Sequence, residues 1–224
     1  MNVQTKTDDA AMWEAFHRFH YLCDQHRFKK LFARADLFRM VADLPGDIVD
    51  AGAFKGVSTI QWAHLLATYQ PNSRSKVVAF DTFDAKFPQV RADERSAVAV
   101  HEALYKGNAY ETITLALERV GLDHRVELVR GDIVKTMPKY MKDAPGFRIS
   151  LLHCDMDVYT PTVATLKACW PRLVRGGVIV FDEYAVGKWG ESDAVDEFLA
   201  EAGRGAKLKI LPSSPTPTAY LVKP

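Results

Sequence analysis

Asp47-Ile48-Val49-Asp50-Ala51-Gly52-Ala53-Phe54-Lys55-Gly56-Val57-Ser58-Thr59 is the stretch on which the fold turns. It opens as a short apolar strand ending in an acid, passes through a loop with two glycines, and enters an apolar-periodic segment at 58–69 that reads as a helix. Strand, glycine turn and helix in that order open a nucleotide-type βαβ unit. Gly52 allows a tight turn close to a ligand, and Gly56 allows the helix to pack close to the strand. Ser58 and Thr59 bring hydroxyls to the start of that helix. In a D-x-G-x-G-x-G pattern Phe54 takes the place of the middle glycine.

Working outward, the same alternation repeats. Strands are expected at 76–81, 126–130, 147–154 and 178–181, each ending in or beside an acid: Asp81, Asp132, Asp155 and Asp182. Helical periodicity fills 91–120, with a break at Gly107-Asn108, and recurs at 162–173 with Gly176-Gly177 as its stop, and at 193–202. Two further strands are expected at 207–211 and 218–222. Upstream, apolar residues from Met12 to Ala42 sit at helical spacing and predict two or more helices before Pro45-Gly46. Alternation of this kind predicts one α/β domain over 1–224 with a doubly wound parallel sheet and helices on both faces. Ligands of such sheets bind outside the carboxyl ends of the strands, where five acids are expected together.

With 224 residues and a formal charge of +1, the chain has no large basic field, so neither nucleic acid nor a membrane surface is an expected partner. No apolar run reaches 18 residues and no signal-peptide core opens the sequence, which leads us to expect a cytoplasmic protein. Cys23, Cys154 and Cys169 have no C-x-x-C spacing, against a disulfide scaffold or structural zinc. His17, His20 and His26 lack regular i, i+4 spacing with an acid and read as surface or substrate-side residues.

Two cofactors compete for the glycine loop. A nicotinamide dinucleotide favours G-x-G-x-x-G with a pyrophosphate at the helix N-terminus, and that spacing is absent. S-adenosylmethionine carries no phosphate and tolerates the missing glycine. Asp81 suits its ribose, since one carboxylate offers acceptors to both hydroxyls. The expected cofactor-binding set is Asp50, Ala51, Gly52, Gly56, Ser58, Thr59, Asp81 and Asp132. Asp132 would meet the adenine amino group or serve the turn.

Several segments then occur in a familiar order: 45–52, Asp81-Thr82-Phe83, Thr136-Met137-Pro138, Asp155-Met156-Asp157-Val158-Tyr159, 176–182 and Ala194-Val195-Asp196-Glu197-Phe198. From about Arg18 onward the chain resembles the macrocin O-methyltransferase family, metal-dependent methyltransferases that act on sugars of antibiotics. Two departures stand out: Asp50 where the family usually has Glu, and Asp182-Glu183 where it usually has two aspartates. The resemblance implies a class I methyltransferase sheet with an antiparallel C-terminal strand, a sugar or other hydroxyl acceptor, and a homo-oligomer. It places the N-terminal helices, about 10–44, on the substrate side.

The implied chemistry is consistent with the acids. An alcohol must lose its proton to accept a methyl group, and a lone carboxylate with a pKa near 4 is too weak a base. A divalent cation such as Mg2+ shifts that balance by stabilising the developing alkoxide. Asp155, Asp182 and Glu183 offer the hard oxygen ligands it prefers. The resemblance makes Asp155 both ligand and general base, with Asp157 the rival for either role or else a cap for the following helix. A sugar diol is the favoured acceptor, a catechol or small phenol the second possibility, and a non-catalytic binder of the cofactor the third.

Overall fold

The computed structural model describes residues 3–104 and 108–224. Two helices come first, α1 (Val3–Leu22) and α2 (Gln25–Arg39). Then β1 (Asp47–Ala51), α3 (Val57–Tyr69) and β2 (Val77–Asp81) form the predicted βαβ unit. Next come α4 (Arg95–Leu104), α5 (Ala109–Arg119), β3 (Val126–Arg130), α6 (Ile133–Asp143) and β4 (Ile149–Cys154). The chain closes with α7 (Tyr159–Cys169), β5 (Leu173–Phe181), α8 (Glu191–Ala200) and β6 (Ala219–Val222). The sheet order is β3-β2-β1-β4-β5-β6, parallel throughout except for β6, as expected.

Alternation along the strands divides the core in two. Val49, Val78, Leu152 and Ile179 face one layer with Met137 of α6, Leu166 of α7 and Val195 of α8. Ile48, Val77, Leu151 and Val178 face the other, with Leu37 of α2, Trp62 of α3 and Ile113 of α5. This two-sided burial is why the parallel strands read as nearly unbroken apolar runs. Order reverses between β1 and β4, and the crevice at that reversal holds the candidate site.

Three local readings differ from the structure, and a fourth falls partly outside the described residues. Residues 133–143 form α6, which the sequence hides because Pro138 lies inside it; Ile133, Met137 and Met141 nevertheless repeat every fourth residue on its buried face. Gly176 and Gly177 do not stop a helix but lie within β5, where Gly176 at φ +77 sits in a register shift against β4. Residues 207–211 make no strand: Lys209 alone pairs with Tyr220, and Pro212 follows without an N–H to extend a ladder. Gly107 of the expected break lies outside the described residues, and Asn108 caps α5 by accepting from the Tyr110 N–H at 3.1 Å.

Residues 9–22 of α1 are all exposed, Trp13, Phe16 and Tyr21 among them. Among the described residues no helix is long and apolar enough to cross a membrane.

Candidate active site

A cleft of about 290 Å³ opens at the carboxyl ends of the strands. Gly52, Asp81, Asp132, Asp155, Asp182 and Glu183 line it, so six of the eleven site residues expected from the sequence meet on one surface. Asp50, Ala51, Gly56, Ser58 and Thr59, the rest of the expected cofactor set together with the strand end, are not on its wall. The physical reason is register. Asp50 pairs across the sheet with His153 and is fully buried on the α3 side, accepting hydrogen bonds from Ser58 Oγ at 2.9 Å and Thr59 Oγ1 at 2.5 Å. These three side chains tie α3 to β1 and have no path to a ligand in the cleft.

The glycines act through backbone approach. A Cβ on Gly52, at φ +91, would lie 1.9 Å from the Asp155 carbonyl oxygen, so the loop after β1 passes directly against the end of β4. A Cβ on Gly56 would strike Ile113, so this glycine lets α3 start beside α5 rather than beside the strand. Phe54, standing where the middle glycine is missing, adopts φ +48, a left-handed conformation that a bulky residue rarely takes. Its N–H donates to Asp81 Oδ2 at 2.9 Å, which holds the strained turn. Phe83, at φ +59, donates to Asp81 Oδ1 at 2.6 Å. Oδ1 also faces the Thr82 hydroxyl at 3.4 Å, whereas Oδ2 retains a second lone pair, so the carboxylate can still accept from a diol. Burial raises the Asp81 pKa despite these two N–H bonds. Asp132 caps α6 through the Val134 N–H at 3.1 Å and accepts from Gln89 at 2.9 Å while lining the cleft.

Across the cleft lie the acids that follow β4 and β5. Asp182 Oδ2 meets Lys30 Nζ of α2 at 2.5 Å, and Asp182 Oδ1 lies 3.4 Å from His153 Nε2. The other nitrogen of His153 is 2.7 Å from Asp50 Oδ1. A chain Asp50–His153–Asp182–Lys30 therefore runs from the sheet interior to the cleft. Burial alone would lower the His153 pKa, but hydrogen bonds to Asp182 and Asp50 outweigh it and raise it to about 9. Burial would raise Asp182; the His153 hydrogen bond and the Lys30 charge hold it far below the ordinary carboxylate range. Asp50 is also depressed, its burial offset by His153 and Thr59.

The neighbouring acids move the other way. Burial and the Asp182 charge push Asp155 up to about 6. Burial, Asp182 and Asp155 push Glu183 up to about 7. Asp157 is raised by burial and by Asp155. A cation would relieve such mutual repulsion, and carboxylates are the hard oxygen donors that Mg2+ prefers, but of these four acids only Asp155 and Asp182 belong to the group whose ligand atoms converge. His153, Asp155 and Asp182 bring ligand atoms within 4.8 Å of one another. His153 is fully buried with both nitrogens turned to carboxylates and, unlike Asp155 and Asp182, is not on the cleft wall. Its work is to aim Asp182.

Asp157 does not cap α7. Val158 is the cap residue and makes no side-chain cap bond; the first helical N–H, of Tyr159, donates to the buried Glu94 at 2.8 Å. Asp157 takes φ +60, lines the cleft, and places Oδ2 3.8 Å from His101 Nδ1. Phe54, Phe87 and Trp189 surround His101 edge-on, with ring centroids 5.2, 5.3 and 6.3 Å away, and give the cleft an aromatic wall. Sequence reasoning missed His153, Lys30, Glu94 and His101. Only His153 left a signal, as a polar residue within the apolar strand at 147–154.

The family described as Macrocin-O-methyltransferase (TylF) matches residues 17–211. The chain belongs to the macrocin O-methyltransferase family. Among curated members it is 30% identical over 169 residues to 8-demethyl-8-(2,3-dimethoxy-alpha-L-rhamnosyl)-tetracenomycin-C 4'-O-methyltransferase of Streptomyces olivaceus, covering 69% of this chain and 63% of that one. It is also 30% identical over 150 residues to mycinamicin III 3''-O-methyltransferase of Micromonospora griseorubida, covering 64% and 57%. The chain thus spans about three fifths of the length of these relatives. Among solved structures, the calicheamicin methyltransferase CalS11 superposes with a TM-score of 0.83 at 30% identity, covering 94% of this chain and 85% of that one. The O-methyltransferase NovP shares the fold, with a TM-score of 0.72 at 23% identity over 87% and 79%. The family expected from the sequence motifs is confirmed, and with it the class I methyltransferase sheet.

Proposed function

We propose that this member of the macrocin O-methyltransferase family transfers a methyl group from S-adenosylmethionine to a sugar hydroxyl, with a divalent cation such as Mg2+ at the acids after β4 and β5. The observation that carries the reading is the meeting, in one cleft, of a diol-accepting carboxylate (Asp81) and a cluster of acids with raised pKa values across from it. A domain that merely binds the cofactor has no use for the second set.

When bound, the cofactor supplies an electrophilic methyl and the cation supplies positive charge that eases ionisation of the acceptor hydroxyl. Asp81 would hold the ribose diol, and Gln89 and Asp132 would border the adenine. Asp155, Asp182 and Glu183 would hold the cation. We assign the proton of the acceptor hydroxyl to Asp157 rather than to Asp155. A carboxylate committed to a cation is a weak base, whereas Asp157 is held in a strained conformation on the cleft wall with a raised proton affinity. The aromatic wall of Phe54, Phe87 and Trp189 offers an apolar face to the acceptor ring and excludes water.

A sugar is favoured over a catechol because the two curated relatives named above are a rhamnosyl-tetracenomycin 4'-O-methyltransferase and a mycinamicin 3''-O-methyltransferase. A solved CalS11 structure, 30% identical, is described as a TDP-rhamnose 3'-O-methyltransferase. The test is a screen of rhamnosides, a nucleotide-linked rhamnose and catechols with S-adenosylmethionine and Mg2+, read by product mass. We expect one added methyl on a sugar oxygen. Transfer confined to catechols would overturn the acceptor assignment, and no transfer despite S-adenosylhomocysteine binding would overturn catalysis.

A further inference from the structure

The Asp182 carboxylate already has a cationic partner of its own. Lys30 Nζ meets Asp182 Oδ2 at 2.5 Å, the oxygen turned away from His153. That oxygen belongs to a residue assigned above to the divalent cation, so ammonium and cation compete for it.

The surroundings favour exchange over coexistence. Lys30 lies on the cleft wall, and its side chain is 27% exposed against 2% for Asp182, so the lysine can move and the aspartate cannot. Its flexible four-carbon stem needs no helix movement to change partner. One turn along α2, Arg34 is buried and held by Gln61 Oε1 at 3.2 Å, and Gln61 donates to the Leu31 carbonyl at 3.0 Å. The anchored part of α2 thus stays while the Lys30 end faces the cleft. Of the cleft's other lysines, Lys86 faces Asp84 at 3.6 Å, and Lys188 lies over the Trp189 ring at 4.8 Å and acts on Asp157 and Glu183 through its charge alone. Besides Lys30 the cluster feels His153, which it shares with Asp50, and the charges of Arg34 and Lys188, yet burial and mutual repulsion still raise Asp155, Asp157 and Glu183, so a divalent ion competes with the single ammonium for Asp182.

We propose that Lys30 and the divalent cation are alternative partners of Asp182, and that loading the cation turns the Lys30 ammonium to the acceptor side of the cleft, where it donates to an acceptor oxygen. The inference rests on the cation reading above. Lys30 is then a residue that links cation loading to acceptor binding, supplied by the N-terminal helical layer.

Two measurements with Mn2+ as the probe test it. In the wild-type chain, acetylation of lysines is followed by peptide mass spectrometry with and without Mn2+, Lys86 and the exposed Lys139 of α6 serving as internal references. Lys30 labelling is expected to rise severalfold with Mn2+ while the references hold. In Lys30→Met, Mn2+ affinity read by electron paramagnetic resonance is expected to tighten about tenfold, the scale on which groups around a metal site tune affinity, and the acceptor KM is expected to rise with the cofactor KM unchanged. Mn2+ binding with unchanged Lys30 labelling, or with equal affinity in a folded Lys30→Met, overturns the exchange and leaves the cation reading intact. Absence of Mn2+ binding to the wild type overturns both. The labelling arm decides the matter even if the variant fails to fold.

Discussion

Asp155 and Asp157 are two residues apart and differ in backbone: Asp157 alone takes φ +60. Asparagine tolerates that conformation, so Asp157→Asn is expected to fold, bind Mn2+ as the wild type does, and lose kcat by about 10²- to 10⁴-fold, the usual worth of a positioned base. Asp155→Asn is expected to lose Mn2+ binding itself. Titration with Mn2+ beside steady-state kinetics separates the two, and equal metal loss in both variants would contradict the division of roles. Gly52→Ala is expected to destabilise by more than about 2 kcal/mol in thermal denaturation, since its Cβ would lie 1.9 Å from a backbone oxygen at φ +91. At this scale the sequence was legible where an acid ends a strand and faces the cleft: Asp81, Asp155, Asp182 and Glu183. Asp50 ends its strand in the same way, yet it faces the sheet interior, because which side a residue takes depends on a register that the motif alone does not specify.

Between elements, two buried groups hold the cleft together. Glu94 is 2% exposed and accepts from Tyr159 N–H at 2.8 Å, Gly190 N–H at 3.0 Å and Arg91 N–H at 3.1 Å, joining the segment after β2 to α7 and to the turn before α8. Glu94→Ala strands these donors and is expected to cost about 1–3 kcal/mol, with a higher cofactor KM because the loop that carries Gln89 loses its anchor at Arg91. An unchanged melting temperature would contradict this. The second group is the chain Asp50–His153–Asp182, which binds β1, β4 and β5. His153 is raised from an ordinary 6.5 to about 9 on folding, so its stabilisation is complete below about pH 6.5 and lost as pH rises through about 9. Asp50 and Asp182 are depressed, so theirs is present above about pH 4 and lost in acid. The chelated protein is therefore expected to melt several degrees lower at pH 9.5 than at pH 6.5, and His153→Gln to flatten that alkaline slope. Neither tie was readable beforehand: Glu94 sits in a segment read simply as helical, and His153 matters only through neighbours 103 and 29 residues distant. Pro138 hid α6 by the same limitation, since a proline breaks a pattern on paper that packing of Met137 and Met141 sustains in the fold.

Across the whole molecule, alternation of strand and helix with acids at strand ends was enough to place a cleft at the reversal between β1 and β4. What surrounds the cleft was less legible, because loop and lid residues such as Phe87, His101 and Trp189 carry no periodicity. Of the N-terminal helices expected on the substrate side, α2 brings Lys30 to the cleft wall, whereas no residue of α1 lies there among the described residues. The cluster opposite Asp81 is proposed to hold a cation without which the methyl does not move. Single-turnover transfer from labelled S-adenosylmethionine to a rhamnosyl acceptor, run after exhaustive chelation and again on adding back Mg2+, tests it most directly. No labelled sugar is expected after chelation, with full recovery on adding Mg2+; undiminished transfer in the chelated protein would rule out the cation requirement.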